Sequence, residues 1–198
     1  MTYFLGLTGG IASGKSTADD FFKKKNIPII DSDLIAHQIM EVGQSGYNAV
    51  VACFGTNILN DDQTINRRQL GEIVFNDKAK LKKLNDLTHP LVHQEIKRQM
   101  EHYSLEKEKL VVIDVPLLFE SGFESLCDGV LVISISPELQ IKRLMKRNNF
   151  TKKEALARIN NQMPLREKEK RATYVVANTG TIGDLEKKLS DLLQEIGR

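Results

Sequence analysis

Residues 9–16 read Gly-Gly-Ile-Ala-Ser-Gly-Lys-Ser, a glycine-rich segment that ends in a lysine and a hydroxyl side chain. The segment fits the pattern Gly-x-x-x-x-Gly-Lys-Ser/Thr of a phosphate-binding loop, or P-loop. Glycines allow several backbone N–H groups to face one anion, because no side chain blocks its approach. The lysine can reach the β and γ phosphates of a nucleotide, and the hydroxyl can bind Mg²⁺. The segment therefore predicts a nucleoside triphosphate site.

The sequence around this loop supports the same interpretation. A short apolar run, residues 3–7, precedes it, and a helical pattern begins at Lys15, as a P-loop requires. The positive end of that helix also favours an anion. We predict ATP with Mg²⁺ as the ligand, with Lys15 acting in catalysis and Ser16 binding the metal. A glycine turn with a merely solvated lysine is the alternative. The predicted nucleotide-binding residues of the loop are Gly9, Gly10, Ala12, Ser13, Gly14, Lys15, Ser16 and Thr17.

Three aspartates follow predicted strands, at the carboxyl ends where open α/β sheets bind their ligands. Asp33 is the predicted catalytic carboxylate, because it can orient an acceptor hydroxyl and take its proton. Asp31 is a candidate substrate contact or, alternatively, the N-cap of a helix. Asp114 can hold a Mg²⁺-bound water opposite Ser16 or, alternatively, cap a turn before Pro116.

Residues 142–171 are strongly basic. They contain eleven Lys and Arg residues against three Glu, a net charge of +8 within a chain whose total is only +2. A lid that closes over a triphosphate would neutralise such a segment and exclude water. Arg143 and Arg147 share one helical face and are predicted to stabilise the transition state. A solvated basic face is the alternative for the other cations.

The composition narrows the class of protein. The low net charge gives no bulk attraction to nucleic acid or membranes, and no stretch is long and apolar enough to span a bilayer. Cys53 and Cys127 have no metal or redox spacing, and the N-terminus does not resemble a signal peptide. We expect a cytoplasmic enzyme of small molecules, without nucleic-acid or membrane partners, that is a monomer or a small homo-oligomer.

The apolar runs predict an α/β fold of the P-loop NTPase type, with a parallel sheet of about five strands flanked by helices. Candidate strands lie at residues 3–7, 27–30, 110–113, 130–135 and 174–176, and candidate helices at 15–25, 33–41, 78–103, 137–147 and 182–196. Residues 34–105 contain no convincing buried strand. We therefore predict a single domain over residues 1–198. Its core covers about residues 1–33, 106–141 and 172–198. A helical acceptor-binding region covers about residues 34–105, and a helical lid covers about residues 142–171.

Four ordered segments resemble one known family, dephospho-coenzyme A kinase, over essentially the whole chain. They are residues 8–17, residues 30–33 with Ala36, His89-Pro90, and residues 116–120. The resemblance implies transfer of the γ-phosphoryl group of ATP to the ribose 3′-hydroxyl of dephospho-coenzyme A. It also implies a core, a helical acceptor-binding region and a lid.

The same resemblance implies roles for individual residues. Asp33 is similar to the family's catalytic carboxylate, and Arg143 and Arg147 fall at its lid entry. Aspartates that are common near the C-terminus in the family are replaced here by Thr173 and Ala177. The implied acceptor contacts are Arg67, His89, Leu117, Leu118 and Glu120, and the implied adenine contacts are Asn178 and Gly180.

Two alternatives stay open at the level of the residues. A GTP-dependent switch shares the P-loop, but the chain contains neither an Asn-Lys-x-Asp nor an Asp-x-x-Gly motif. A kinase that acts on a nucleoside monophosphate or another small acceptor shares both the P-loop and a carboxylate at Asp33. The residue pattern by itself does not separate the acceptors.

Overall fold

The computed structural model describes residues 1–197 and contains one five-stranded sheet within that part of the chain. The strands lie in the order β2-β3-β1-β4-β5, with parallel pairing. Helices flank the sheet, so the predicted fold class is confirmed. The strands are β1 (Tyr3–Gly9), β2 (Ile29–Asp31), β3 (Leu110–Asp114), β4 (Gly129–Ser134) and β5 (Tyr174–Ala177).

The central strands are apolar because both of their faces are buried. Every residue of β4 is buried, and so are all residues of β1 after Tyr3. The register pairs Leu7 of β1 with Asp114 of β3, and Gly9 with Ile133 of β4. The carboxyl ends of β1, β3 and β4 therefore meet at one edge, and the P-loop begins at that edge.

The helices begin at the positions that the capping signals favour. The Ser136 hydroxyl accepts a hydrogen bond from the Leu139 N–H ahead of Pro137, and Thr151 and Glu154 form a capping box. The helices are α1 (Lys15–Lys24), α2 (Ser32–Gln38), α3 (Ser45–Phe54), α4 (Arg67–Phe75), α5 (Lys78–Leu105), α6 (Pro137–Asn148), α7 (Lys152–Asn160), α8 (Leu165–Arg171) and α9 (Ile182–Ile196). Short 3₁₀ turns cover Thr56–Ile58 and Phe123–Leu126.

The chain divides into two compact units. The first unit contains residues 1–30 and 102–198, and the second contains residues 31–101. In the first unit, α1 and α9 pack on the sheet, and Phe22 of α1 and Leu189 of α9 are fully buried in the same core. This core fixes the start of α1, and with it the P-loop.

The second unit has its own apolar core. Val50 of α3 and Ile58 are fully buried there, and Leu70 and Val74 of α4 pack with them. Within residues 34–101 the structure shows no strand and only an isolated bridge between Leu59 and Ile65, as the lack of a buried apolar run predicted.

The long helix α5 continues through Pro90, whose ring removes one helical hydrogen bond. No helix within residues 1–197 combines the length and apolar character that crossing a bilayer requires.

Candidate functional site: a nucleotide cleft at the phosphate-binding loop

The loop between β1 and α1 has the backbone conformation of a phosphate cradle. Ala12 and Gly14 have φ values of +61° and +98°, in the left-handed region. A side chain at Gly14 would also collide with the amide of Asn178. That amide is buried and donates to the Ser13 carbonyl over 2.8 Å. Asn178 therefore supports the loop directly, in addition to any contact with a base.

Lys15 is held by two acidic side chains. Its Nζ lies 2.6 Å from both carboxylate oxygens of Asp114 and 3.2 Å from Asp19 Oδ2. Burial by itself would lower the pKa of Lys15, but the neighbouring carboxylates outweigh burial, and the pKa is raised. Lys15 is therefore a cation ready for a phosphate, and a bound triphosphate would compete with both carboxylates for it.

Asp19 is a site residue that the sequence interpretation missed. It lies one helical turn after Lys15, so both side chains share one face of α1. Burial raises the pKa of Asp19 more than Lys15 lowers it. The sequence does contain a signal for Asp19, since an acidic residue four positions after the P-loop lysine lies on the same helical face.

A cleft of about 310 Å³ opens beside the loop. The structure brings into it eight residues that were predicted from separate parts of the chain, and Ile182 and Leu185 of α9 add an apolar side. The eight predicted residues are Ala12, Gly14, Ser16, Thr17, Arg143, Arg147, Asn178 and Gly180. Backbone donors, two guanidinium groups and an apolar side together suit a nucleotide.

Two glutamines that the sequence interpretation missed hold the peptide groups of Ile11. Gln140 Nε2 of α6 donates to the Ile11 carbonyl, and the Ile11 N–H donates to Gln162 Oε1, each over 2.9 Å. A side chain at Gly10 would approach Gln140 Nε2 to 2.6 Å, so it would push this amide away from the Ile11 carbonyl. The P-loop is thus tied at two points, by Gln140 of α6 and by Gln162 of the predicted lid segment.

The segment after β3 contains three predicted acceptor contacts in different environments. Leu117 is exposed, whereas Leu118 is fully buried beneath β1 and packs in the core. Only Leu117 presents an apolar surface to a ligand. Glu120 bonds to Lys168 and to the N–H of Met163, each over 2.9 Å.

The basic segment 142–171 is partly neutralised by acids of the protein itself. Lys168 pairs with Glu120 and Arg171 with Glu124, and Lys170 pairs with Glu167 inside the segment. The expectation that a bound anion has to neutralise the whole segment is therefore too strong. Arg143 and Arg147 line the cleft beside the P-loop.

The other predicted acceptor residues belong to the second unit. Asp31 Oδ1 accepts from the N–H groups of Asp33 and Leu34, so Asp31 caps α2 and Asp33 lies exposed in its first turn. Arg67 Nη2 donates to the His37 carbonyl over 3.2 Å. Burial lowers the pKa of His89, and the neighbouring Asp86 offsets this only in part, so His89 is neutral near pH 7.

The side chains predicted to hold Mg²⁺ are few. Ser16 is exposed at the start of α1, and Asp114 is buried and bonded to Lys15. Within the described residues no group of three or more His, Cys, Asp or Glu side chains could hold a metal ion. A metal at this place would take most of its ligands from phosphates and water, which is the usual coordination of Mg²⁺.

Comparison with known proteins extends over the whole chain. The family model described as CoaE, dephospho-CoA kinase, matches residues 3–184. A dephospho-CoA kinase of Lactobacillus johnsonii is 87% identical over 198 residues, which is 100% of both chains. The structure of dephospho-CoA kinase from Campylobacter jejuni has 33% identity and a TM-score of 0.76, covering 99% of this chain and 98% of its own. The crystal structure of TT1252 from Thermus thermophilus has 35% identity and a TM-score of 0.82, covering 98% and 97%.

Proposed function

The chain belongs to the dephospho-CoA kinase family, and we propose that it transfers the γ-phosphoryl group of ATP to the ribose 3′-hydroxyl of dephospho-coenzyme A. The products would be ADP and coenzyme A, so the reaction is the final step of coenzyme A synthesis. The predicted enzyme class, an ATP-dependent phosphotransferase, is confirmed by this membership. The observation that carries the proposal is the cleft in which the P-loop, two arginines and Asn178 converge.

The donor half of the site follows from that cleft. Backbone N–H groups of the P-loop and the first turn of α1 would bind the phosphates, and Lys15 would leave Asp114 for the β and γ phosphates. Arg143 and Arg147 would stabilise the charge that develops on the transferred group. Asn178 and Gly180 would lie nearer the adenine.

The residues present fit Mg²⁺. The Ser16 hydroxyl stands exposed at the start of α1, and a carboxylate, Asp114, lies beside the adjacent Lys15. Ser16 would bind the metal directly and Asp114 through a water molecule. When bound, Mg²⁺ neutralises charge on the β and γ phosphate oxygens.

The proposed acceptor contacts are the exposed Leu117 in the first unit and, in the second unit, Asp33, Arg67 and His89. Asp33 would orient the 3′-hydroxyl and accept its proton as the new O–P bond forms. Arg67 can bind an anionic group of the acceptor, and neutral His89 can exchange hydrogen bonds with it. Asp31 would act indirectly, since its cap holds the backbone of Asp33.

The cellular context is part of the proposal. Both proposed substrates are small dissolved molecules, and we expect the enzyme to act on them in the cytoplasm without nucleic-acid or membrane partners. Its state as a monomer or small homo-oligomer is open to measurement by light scattering.

A coupled ADP-release assay tests the activity. ATP and Mg²⁺ are held constant while dephospho-coenzyme A is compared with nucleoside monophosphates and with no acceptor. We expect a preference for dephospho-coenzyme A of far more than tenfold, a factor worth about 1.4 kcal/mol. Mass spectrometry should show one phosphate added to the product, and Lys15→Ala is the negative control. Equal rates with all acceptors would exclude the proposed substrate.

A further inference from the structure

Lys168 is a buried cation within the basic segment. It lies on α8, and none of its side-chain surface is exposed. Its Nζ lies 2.9 Å from Glu120 Oε1 and 3.1 Å from the Pro116 carbonyl. A lysine is seldom fully buried, because its charge loses hydration, and here a carboxylate and a carbonyl replace the water. The interpretation of these cations as a solvated face therefore does not hold at Lys168.

The two acceptors of Lys168 are connected to the P-loop by different routes. The Pro116 carbonyl also accepts from the Thr8 hydroxyl of β1 over 2.9 Å. Glu120 Oε1 also accepts from the N–H of Met163 over 2.9 Å. The residue before Met163 is Gln162, which binds the Ile11 N–H in the P-loop.

These hydrogen bonds form a closed path that begins and ends at the P-loop. Lys168 and Glu120 stand in its middle, and Thr8 and Ile11 lie on either side of Gly9-Gly10 at its two ends. The segment 162–168 is therefore fastened at both of its ends. A change at Lys168 can reach Ile11 through Glu120, although Lys168 does not itself contact the loop residue.

We propose that Lys168 is a positioning residue for phosphoryl transfer and that Glu120 is its structural partner rather than a contact of the acceptor. The inference rests on the proposed function, since the reaction is the readout. It assigns Glu120 differently from the family resemblance, which places it in the acceptor-binding segment. Its carboxylate already bonds to the Lys168 ammonium and the Met163 N–H.

The expected effect follows from the geometry of the loop. The Ile11 N–H and the Ile11 carbonyl are both held by hydrogen bonds. These bonds fix the two peptide groups that flank Ile11, just before Ala12, whose φ is in the left-handed region. Misplacing a reacting group by about 1 Å can cost up to 10² in rate, so loosening one of these ties should reduce turnover measurably.

The test compares Lys168→Met, Glu120→Gln and the double variant. Each single change should lower kcat/KM for dephospho-coenzyme A about tenfold, and the double variant should lose little more than either, because both act on one pair. Lys168→Met by itself leaves the Glu120 carboxylate without its cation, which can destabilise the fold. The double variant replaces both charged side chains by neutral ones of similar size, so it should stay folded. Melting temperatures identify any variant that is unfolded at the assay temperature.

Two further variants separate positioning from general packing or charge. Lys168→Arg keeps a cation next to Glu120 and should recover most of the activity of Lys168→Met. Lys170→Met removes an exposed cation two residues away on the same helix, paired only at the surface with Glu167, and should behave like the wild type. Amide hydrogen exchange should become faster in residues 8–14 of Lys168→Met but not in α9.

The results distinguish this inference from the proposed function. If the wild type does not phosphorylate dephospho-coenzyme A, the proposed function fails first. If the wild type is active, normal kinetics and normal exchange in Lys168→Met overturn the inference. Losses that multiply in the double variant, or a loss in Glu120→Gln without one in Lys168→Met, would place Glu120 in direct contact with the acceptor.

Discussion

Lys15 and Asp114 form a close ion pair, with Nζ 2.6 Å from each carboxylate oxygen. The pair joins the first turn of α1 to the carboxyl end of β3, which are 99 residues apart in sequence. The P-loop cation is therefore held inside the protein until phosphate competes for it.

Lys15→Ala should weaken both nucleotide binding and turnover, because it removes the cation nearest the β and γ phosphates. Isothermal titration with ATP and Mg²⁺ measures the first effect, and we expect affinity to fall about tenfold or more. Lys23→Ala, near the end of the same helix, is the control. An unchanged affinity in Lys15→Ala would contradict the assignment of the cradle.

Asp33→Asn should retain ATP binding and thermal stability but lose roughly 10²–10⁴ in kcat, since it removes the proposed proton acceptor. Asp31→Ala should differ from it in its effect on stability. It removes the cap of α2 and should lower the free energy of unfolding by about 0.5–2 kcal/mol. Near-normal turnover in Asp33→Asn would show that its carboxylate is not needed for the chemistry.

Arg143→Ala and Arg147→Ala should each lower kcat/KM for ATP about 10- to 100-fold, because both guanidinium groups line the nucleotide cleft. Lys146→Ala, on the same helix but outside that cleft, should change it less than twofold. Similar losses in all three variants would indicate a general charge effect instead of local contacts.

His89 should make stability depend on pH. Its folded-state pKa is lowered by burial, so the unfolded chain binds the proton first as the pH falls below about 6.5. The contribution of His89 is therefore present above that pH and is lost as the pH falls towards the lowered value. Urea unfolding at pH 7.5 and 5.5 should show a smaller loss of stability in His89→Gln than in the wild type. His102→Gln, exposed on the same helix, is the control, and equal losses in all three proteins would contradict the effect.

The two cysteines should differ in reactivity. Burial raises the pKa of the Cys127 thiol to about 12, with neighbouring Asp128 adding to the effect, whereas Cys53 is exposed. A thiol reagent at pH 8 should modify one cysteine rapidly and the second only after unfolding. Peptide mapping should place the rapid modification at Cys53, and fast labelling of Cys127 would contradict its burial.

Much of the fold was predictable because the local signals agree with the tertiary environment. Apolar runs gave five strands, which begin and end within about two residues of the predicted bounds. The cap at Ser136 and the capping box at Thr151 place the starts of α6 and α7. These signals are local, since an apolar run and the residue types that cap a helix end can both be read from neighbouring positions.

The residue pattern does not resolve the environment of side chains whose neighbours are distant in sequence. Leu117 and Leu118 are identical in type, yet one is exposed and the other is fully buried beneath β1. Lys168 and Lys170 also look alike in a basic segment, but only Lys168 turns inward to Glu120. A run of basic residues does not reveal which of them points inward, because the partner of Lys168, Glu120, lies 48 residues away in sequence.

The P-loop, the α/β class and the family could be inferred before the fold was known, because glycine spacing, apolar periodicity and ordered motifs can be read along one chain. How the loop is held depends on tertiary contacts. Lys15 pairs with Asp114 and Asp19, Asn178 supports Ser13, and Gln140 and Gln162 hold Ile11. Each of these contacts except that with Asp19 joins residues about 100 or more positions apart. Such contacts exist only after the parallel sheet brings the carboxyl ends of its strands to one edge.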